Sequence, residues 1–178
     1  MSDRQVFDHL DLVPAADHPA LLAPPVAAAI HHVPGALVFT IDPALADTAA
    51  LCDAYGLPLE SCANCVIVTG RRGDIARHVA CMALASTRVD VNATVRRRLD
   101  ARKASFAPMD FAVDRSGMEY GGITPVGLPA DWPVWVDAAV AEAGWVCIGS
   151  GVRGSKLVLP ARDLAGLPNA DLVAGLAG

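Results

Sequence analysis

Cys65-Val66-Ile67-Val68-Thr69, then Gly70-Arg71-Arg72-Gly73, then Ile75 to Ala85, is the stretch that decides the fold. Two apolar, β-type runs flank a short turn with a glycine at each end, which is the signature of an antiparallel hairpin. A parallel βαβ unit would need a crossover of a dozen or more residues between its strands. The hairpin therefore predicts an α+β class rather than a regular parallel sheet. Arg71 and Arg72 at its tip read as a solvated turn, with contact to nucleic-acid phosphate as the functional alternative.

Upstream, Leu37-Val38-Phe39-Thr40 reads as a short strand and Asp42-Pro43 as a helix start, with Asp42 the N-cap and Pro43 the first helical residue. Leu45, Ala49 and Cys52 share one face of that helix, and Gly56 ends it. Residues 1–30 carry Pro14, Pro19, Pro24 and Pro25 and are expected as an irregular arm or one short helix, ahead of a single domain over 31–178. The adjacent His31 and His32 point in different directions on either helix or strand and make a poor metal site.

Downstream, Val89 to Leu99 reads as a helix with Asp90 near its start and Arg96-Arg97-Arg98 near its end. These charges complement the helix dipole, which is reason enough for them; contact with nucleic-acid phosphate is the functional alternative, although three successive arginines spread around a helix cannot all face one ligand. A strand at Lys103 to Phe106 and a helix at Pro108 to Asp114 follow. Strands at Trp135-Val136, Trp145 to Ile148 and Leu157 to Leu159 alternate with helices at Ala138 to Ala143 and Asp163 to Leu167, before a weakly structured tail.

At 178 residues the chain fits one domain with one continuous core. Apolar residues make up 53% and aromatics 5%, so Ala, Val and Leu must fill that core. Fourteen basic against nineteen acidic residues give a net charge of −5, which argues against indiscriminate DNA coating while leaving room for a local basic patch; with no recognisable helix-turn-helix or zinc module, no specific DNA binding is expected. No apolar run reaches the roughly 18 to 20 residues of a membrane span, and the first residues do not read as a secretory signal. The expectation is a cytoplasmic protein without a membrane partner. Five cysteines in such a setting favour reduced thiols. Cys62-Ala-Asn-Cys65 has C-x-x-C spacing but neither a second pair for zinc nor a following helix for redox chemistry, so no metal or cofactor is expected.

Two glycine-rich segments are candidates for chemistry. Gly149-Ser-Gly-Val-Arg-Gly-Ser-Lys156 imitates nucleotide motifs, but an extended run follows where a dinucleotide fingerprint needs a helix, and Ser155-Lys156 reverses the Walker order. It reads as a hairpin turn forming one wall of a site with Arg153. Gly117-Met-Glu-Tyr-Gly-Gly-Ile-Thr-Pro-Val-Gly-Leu128 is the stronger candidate: adjacent glycines allow close backbone approach, and Pro125 biases Thr124 toward extended backbone. Such a loop can aim several N–H groups at one oxyanion, carboxylate or phosphate.

Gly121 to Pro125, a glycine, three residues and a proline, resembles the loop of the YbaK family of aminoacyl-tRNA deacylases, which includes the editing insertion of bacterial prolyl-tRNA synthetase. Asp47 to Leu57, the strand from Asn64, Arg102-Lys103, Ser116-Gly117, Gly121 to Gly127, Asp137 and the loop Gly149 to Gly154 fall in the family's order over about 130 residues, from near Leu37 to near Leu167. The resemblance implies a mixed, partly closed β-barrel-like sheet surrounded by helices. It also implies hydrolysis of the ester of a mischarged aminoacyl-tRNA, with the tRNA 3′ end as substrate and an aminoacyl-tRNA synthetase as a further partner. Water would attack with help from the substrate's own groups, no Ser-His-Asp or Cys-His set being evident.

Carried onto this sequence, Gly121, Gly122 and Thr124 would face the scissile carbonyl and Asn64 the ester or terminal ribose. Gly117, Ile123, Pro125, Gly127, Lys103, Gly151 and Arg153 would form the binding surface. Asn64 stands where the family has a characteristic lysine. An amide offers a dipole instead of a full charge, and losing a charge-assisted contact costs about 1.5–3 kcal/mol, a ten- to hundredfold fall in rate. Lys103 and Arg153 are the basic groups expected to compensate. The rival reading is a non-catalytic paralogue that binds an aminoacyl-tRNA end, an amino acid or a synthetase.

Overall fold

The computed structural model describes residues 4–178. In chain order the elements are β1 (Val13–Pro14), α1 (Pro24–Ala29), β2 (Leu37–Thr40), α2 (Thr48–Tyr55), β3 (Ala63–Arg72) and β4 (Ile75–Leu84). A π-type turn, Val91–Val95, then runs into α3 (Arg96–Arg98). After it come β5 (Lys103–Phe106), α4 (Met109–Ser116), β6 (Val134–Asp137), α5 (Ala138–Ala141), β7 (Trp145–Gly149), β8 (Ser155–Pro160) and β9 (Ala170–Val173).

The expected hairpin is the spine of the molecule: β3 and β4 pair antiparallel from Ala63↔Leu84 to Arg72↔Ile75. They sit inside a mixed five-stranded sheet ordered β5-β3-β4-β6-β9, in which β6 runs parallel to both β4 and β9. A second, antiparallel sheet has the order β1-β2-β8-β7. A parallel bridge between Cys62 and Cys147 joins the two at one corner. The fold is thus α+β, with one mixed and one antiparallel sheet that meet at a corner without closing into a full barrel.

Burial explains why β3 reads as an unbroken apolar run rather than an alternating one. Ala63 and Ile67 face the main core with Ala80, Met82, Ile148, Leu157 and Leu159. Val68 faces the other way, with Val79 and Cys81, where Val91, Val95, Leu99 and Trp135 close a second core. A third cluster packs α2, through Leu51 and Cys52, onto Phe39, Cys147 and Val158.

Several boundaries differ from the sequence reading. Asp42 caps only a 3-10 turn, Pro43–Leu45, by accepting from the Ala44 N–H, and the helix proper starts at Thr48. Its cap is Asp47, whose carboxylate accepts from the Ala49 N–H at 3.1 Å. Two capping aspartates five residues apart made one helix start of what are two turns. The Asp163 segment is a 3-10 helix, Ala161–Gly166. The tail is no tail: Ala170–Val173 is an edge strand in register with β6. Asn169, at φ 62°, reverses the chain just before it and gives its carbonyl to the Val134 N–H. Residues 4–30 are woven into the domain, β1 pairing with β2 and Phe7, Leu22, Ala23 and Val26 lying buried.

Candidate functional site

A cleft of about 450 Å³ opens where the two sheets meet at the corner of β3 and β7. Its walls come from the start of α2, the first residues of β3, the Tyr120–Ile123 loop, the end of β7 and Lys156 of β8. The inner wall, formed by Leu51, Cys62, Cys147 and Ile148, is buried and apolar.

Asn64 is the second residue of β3 and projects to the surface of the cleft. The Thr48 hydroxyl, in the first turn of α2, donates to its Oδ1 at 2.6 Å. With the carbonyl oxygen satisfied, the amide nitrogen of Asn64 is the end left to meet a ligand, and it can only donate.

The second donor is Lys156, which is only 5% exposed. Its ammonium donates to the Ala46 carbonyl at 2.9 Å and more weakly to the Gly121 carbonyl at 3.4 Å. Two of its three hydrogens are thereby placed, and the third remains for the cleft. Burial holds its pKa below that of an ordinary lysine. No carboxylate pairs with this ammonium among the described residues.

The glycine loop is built by locking two loops together. The Gly122 N–H donates to the Glu119 carbonyl, and the Gly122 carbonyl accepts from the Gly151 N–H at 2.7 Å. Glu119 completes the lock: its N–H donates to the Gly151 carbonyl, and its carboxylate accepts from the Arg153 N–H at 2.6 Å. A Cβ on Gly122 would lie 2.8 Å from the backbone of Val152, so only glycine permits this approach. The Arg153 guanidinium clamps the loop from behind, donating to the carbonyls of Tyr120 at 3.0 Å and Pro43 at 2.9 Å.

The expected site residues therefore divide. Asn64, Gly121 and Ile123 line the cleft together. Gly122 supports the loop, but its N–H is already donated within it and is not a donor for an oxyanion. Thr124 is completely buried with its Oγ1 unpartnered and does not line the cleft. Pro125 and Gly127 line a different hollow, of about 190 Å³, beside Trp132. Gly117 ends α4, and Gly151 is buried behind the loop. Arg153 positions the loop rather than facing a ligand.

Lys103 is the clear misplacement. It pairs with Arg71, seven residues along β3 from Asn64, about 23 Å at strand spacing. Lys156, which the sequence reading weighed only as part of a failed nucleotide motif, is the basic group inside the cleft.

Cys52, Cys62 and Cys65 are poor nucleophiles. Cys52 lies 3.5 Å from Cys62, and burial pushes its pKa up to about 12. Cys62 is pushed up as well, by its hydrogen bond with Cys147 and by burial, and burial does the same to Cys65. None of the residues lining the cleft is a histidine.

The family model described as the aminoacyl-tRNA editing domain matches residues 42–167. No curated protein sequence matches the chain. Among solved structures, the chain is similar to a protein put forward as a trans-editing enzyme for prolyl-tRNA synthetase, with 16% identity, 85% of this chain and 94% of that one covered, and a TM-score of 0.70. It is also similar to a crystal structure of a hypothetical protein, with 18% identity, 79% and 90% covered, and a TM-score of 0.70. At these identities the two structures speak to the fold alone.

Proposed function

This chain belongs to the aminoacyl-tRNA editing domain family, and from that premise we propose that it is a trans-acting deacylase that hydrolyses the ester of a mischarged aminoacyl-tRNA. One observation carries the reading: the Asn64 amide and the Lys156 ammonium reach the same cleft and are held by the same short turn, through Thr48 and Ala46 respectively.

Ester hydrolysis needs a positioned carbonyl, donors for the oxygen that becomes anionic, and a water. Water adds to the ester carbon, and Asn64 and Lys156 supply N–H donors as negative charge develops on the carbonyl oxygen. The bond from that carbon to the ribose oxygen then breaks. The ribose oxygen takes the proton that the water gives up, and the amino acid and the tRNA depart. With no histidine among the residues lining the cleft, and the Cys62 thiol pushed well up by its hydrogen bond with Cys147 and by burial, the proton travels through the substrate's own vicinal hydroxyl or α-amine. Lys156 supplies from β8 the cationic charge that Asn64 does not supply from β3. The apolar inner wall, from Leu51 to Ile148, suits a small apolar amino-acid side chain.

A second reading rests on Asn64 itself: a paralogue that binds an aminoacyl-tRNA end, or docks with a synthetase, without cleaving. Single-turnover deacylation of a panel of mischarged tRNAs by wild type, Asn64→Lys and Lys156→Met separates the two. The deacylase reading expects wild-type turnover of at least one ester, abolished in Lys156→Met. Turnover by Asn64→Lys alone, or by no variant, overturns it in favour of the binding paralogue. No helix among the described residues is long and apolar enough to cross a membrane, consistent with a substrate met in water.

A further inference from the structure

Beside the ester cleft lies a second one of about 490 Å³, and we propose that it receives the unpaired 3′ end of the tRNA, with one base stacked on Phe106 and a backbone phosphate on Arg88. The identity of this ligand rests on the deacylase reading; the cleft itself does not.

The two clefts adjoin, with Asn64 and Val66 lining both. A substrate whose ester meets Asn64 must leave in some direction, and the second cleft is the neighbouring hollow on the same strand, β3. Phe106 is one of that hollow's walls. It pairs with Val68 across β3 and β5, four residues from Asn64, about 13 Å along the strand.

The surface chemistry is that of a single-stranded nucleic acid site. Phe106 is 61% exposed on an edge strand, a position where an aromatic ring ordinarily invites aggregation. Its exposure belongs to a pattern. Of the six large apolar side chains exposed among the described residues, Leu59, Met109 and Tyr120 line the ester cleft and Phe106 lines the second; only Ile75 and Leu172 lie elsewhere. Apolar surface concentrated around two adjoining clefts marks a binding face.

Charge is placed to match. The Arg88 backbone is fixed by reciprocal hydrogen bonds with Gly178, while its guanidinium makes no hydrogen bond or ion pair among the described residues. Asp90, the one acid of this cleft, has its carboxylate turned to the Ala93 and Thr94 N–H groups and the Thr94 hydroxyl. The Asn92 side chain, exposed at the rim, is left to meet a base edge. An aromatic platform with a flanking cation is the common arrangement for holding an unpaired strand without reading its sequence.

The test is fluorescence anisotropy with a labelled, uncharged single-stranded RNA ending in CCA, titrated onto the full chain. Wild type binds. Phe106→Leu, which keeps apolar volume but removes the ring, weakens binding about ten- to a hundredfold, and Phe106→Tyr restores it. Arg88→Gln weakens binding and lowers the salt slope by about one phosphate contact. Absence of wild-type binding, or affinity untouched by both Phe106→Leu and Arg88→Gln, overturns the proposal. Because the RNA carries no ester, the two readings fail separately: Phe106-dependent binding without turnover of any ester leaves this site standing and removes the deacylase. Turnover with Phe106-independent binding does the reverse.

Discussion

Thr48 donates its hydroxyl hydrogen to Asn64 Oδ1 at 2.6 Å, so a residue at the start of a helix sets which end of a strand's amide faces the cleft. Without that hydroxyl the amide is free to flip, and half of its orientations would present an oxygen to a developing oxyanion. Thr48→Val keeps the β-branched shape and removes the donor. A hydrogen bond of this kind contributes about 0.5–1.5 kcal/mol net. The expected outcome is a two- to tenfold lower single-turnover rate with little change in melting temperature. An unchanged rate would mean that Asn64 does not act through its nitrogen.

Lys156 gives the opposite balance of stability and activity. Burying an ammonium without a carboxylate is costly, and only two carbonyls offset it. Lys156→Met removes that burden while keeping the length of the side chain. Deacylation should fall about a hundredfold or more, while the melting temperature stays level or rises. A variant that loses stability along with activity would make Lys156 a structural residue.

The depressed pKa of Lys156 carries a pH signature. The folded state holds this proton less tightly than the unfolded chain does. Between the lowered folded value and the ordinary lysine value, the unfolded chain therefore binds more protons, and stability rises with pH across that window. Below the window the penalty is present in full; above the ordinary value it is gone. Activity runs the other way, lost as pH rises through the folded value because the charge disappears. Chemical denaturation and rate profiles on the alkaline side should show both trends in wild type, and Lys156→Met should show neither.

The hairpin, the glycine loop and the place of Asn64 on the first strand were legible because each depends on neighbours in sequence. Lys156 was not. Its signal was local, a lysine in Ser155-Lys-Leu-Val-Leu159 with no turn residue after Gly154, but its burial depends on pairing with Phe39 from more than a hundred residues away. Lys103 was misplaced for the same reason, since its distance from Asn64 is fixed by the register of β5 on β3. Strand β9 escaped notice because an edge strand of four residues, introduced by Leu-Pro-Asn, has only its parallel partner β6 to define it. Thr124 shows the limit of motif reading: it stands within the loop's quoted core, yet the chain turns its side chain inward.

Gly122→Ala tests the lock between the two loops rather than the chemistry. The added methyl would meet Val152 backbone nitrogen and oxygen at 2.8 Å, and neither is a flexible side-chain end that can swing away. Overpacking of this kind costs about 1–3 kcal/mol. Melting temperature and deacylation should fall together. Gly154→Ala, where an added methyl has nothing within 4 Å, is the control and should leave both nearly unchanged. Loss of activity in Gly122→Ala at full stability would return this glycine to the reacting centre.

The buried thiols provide the last test. Cys62 lines the cleft, but a thiol reacts through its thiolate, and the hydrogen bond with Cys147 and burial push the Cys62 pKa well up, as burial pushes that of neighbouring Cys52 to about 12. Alkylation by iodoacetamide at neutral pH should therefore be slow in the native protein and fast after unfolding in denaturant. Deacylation should survive Cys62→Ser within about tenfold, since the hydroxyl keeps a donor where the thiol stood. Rapid native alkylation that removes activity, with Cys62→Ser inactive as well, would replace the water mechanism with a cysteine nucleophile.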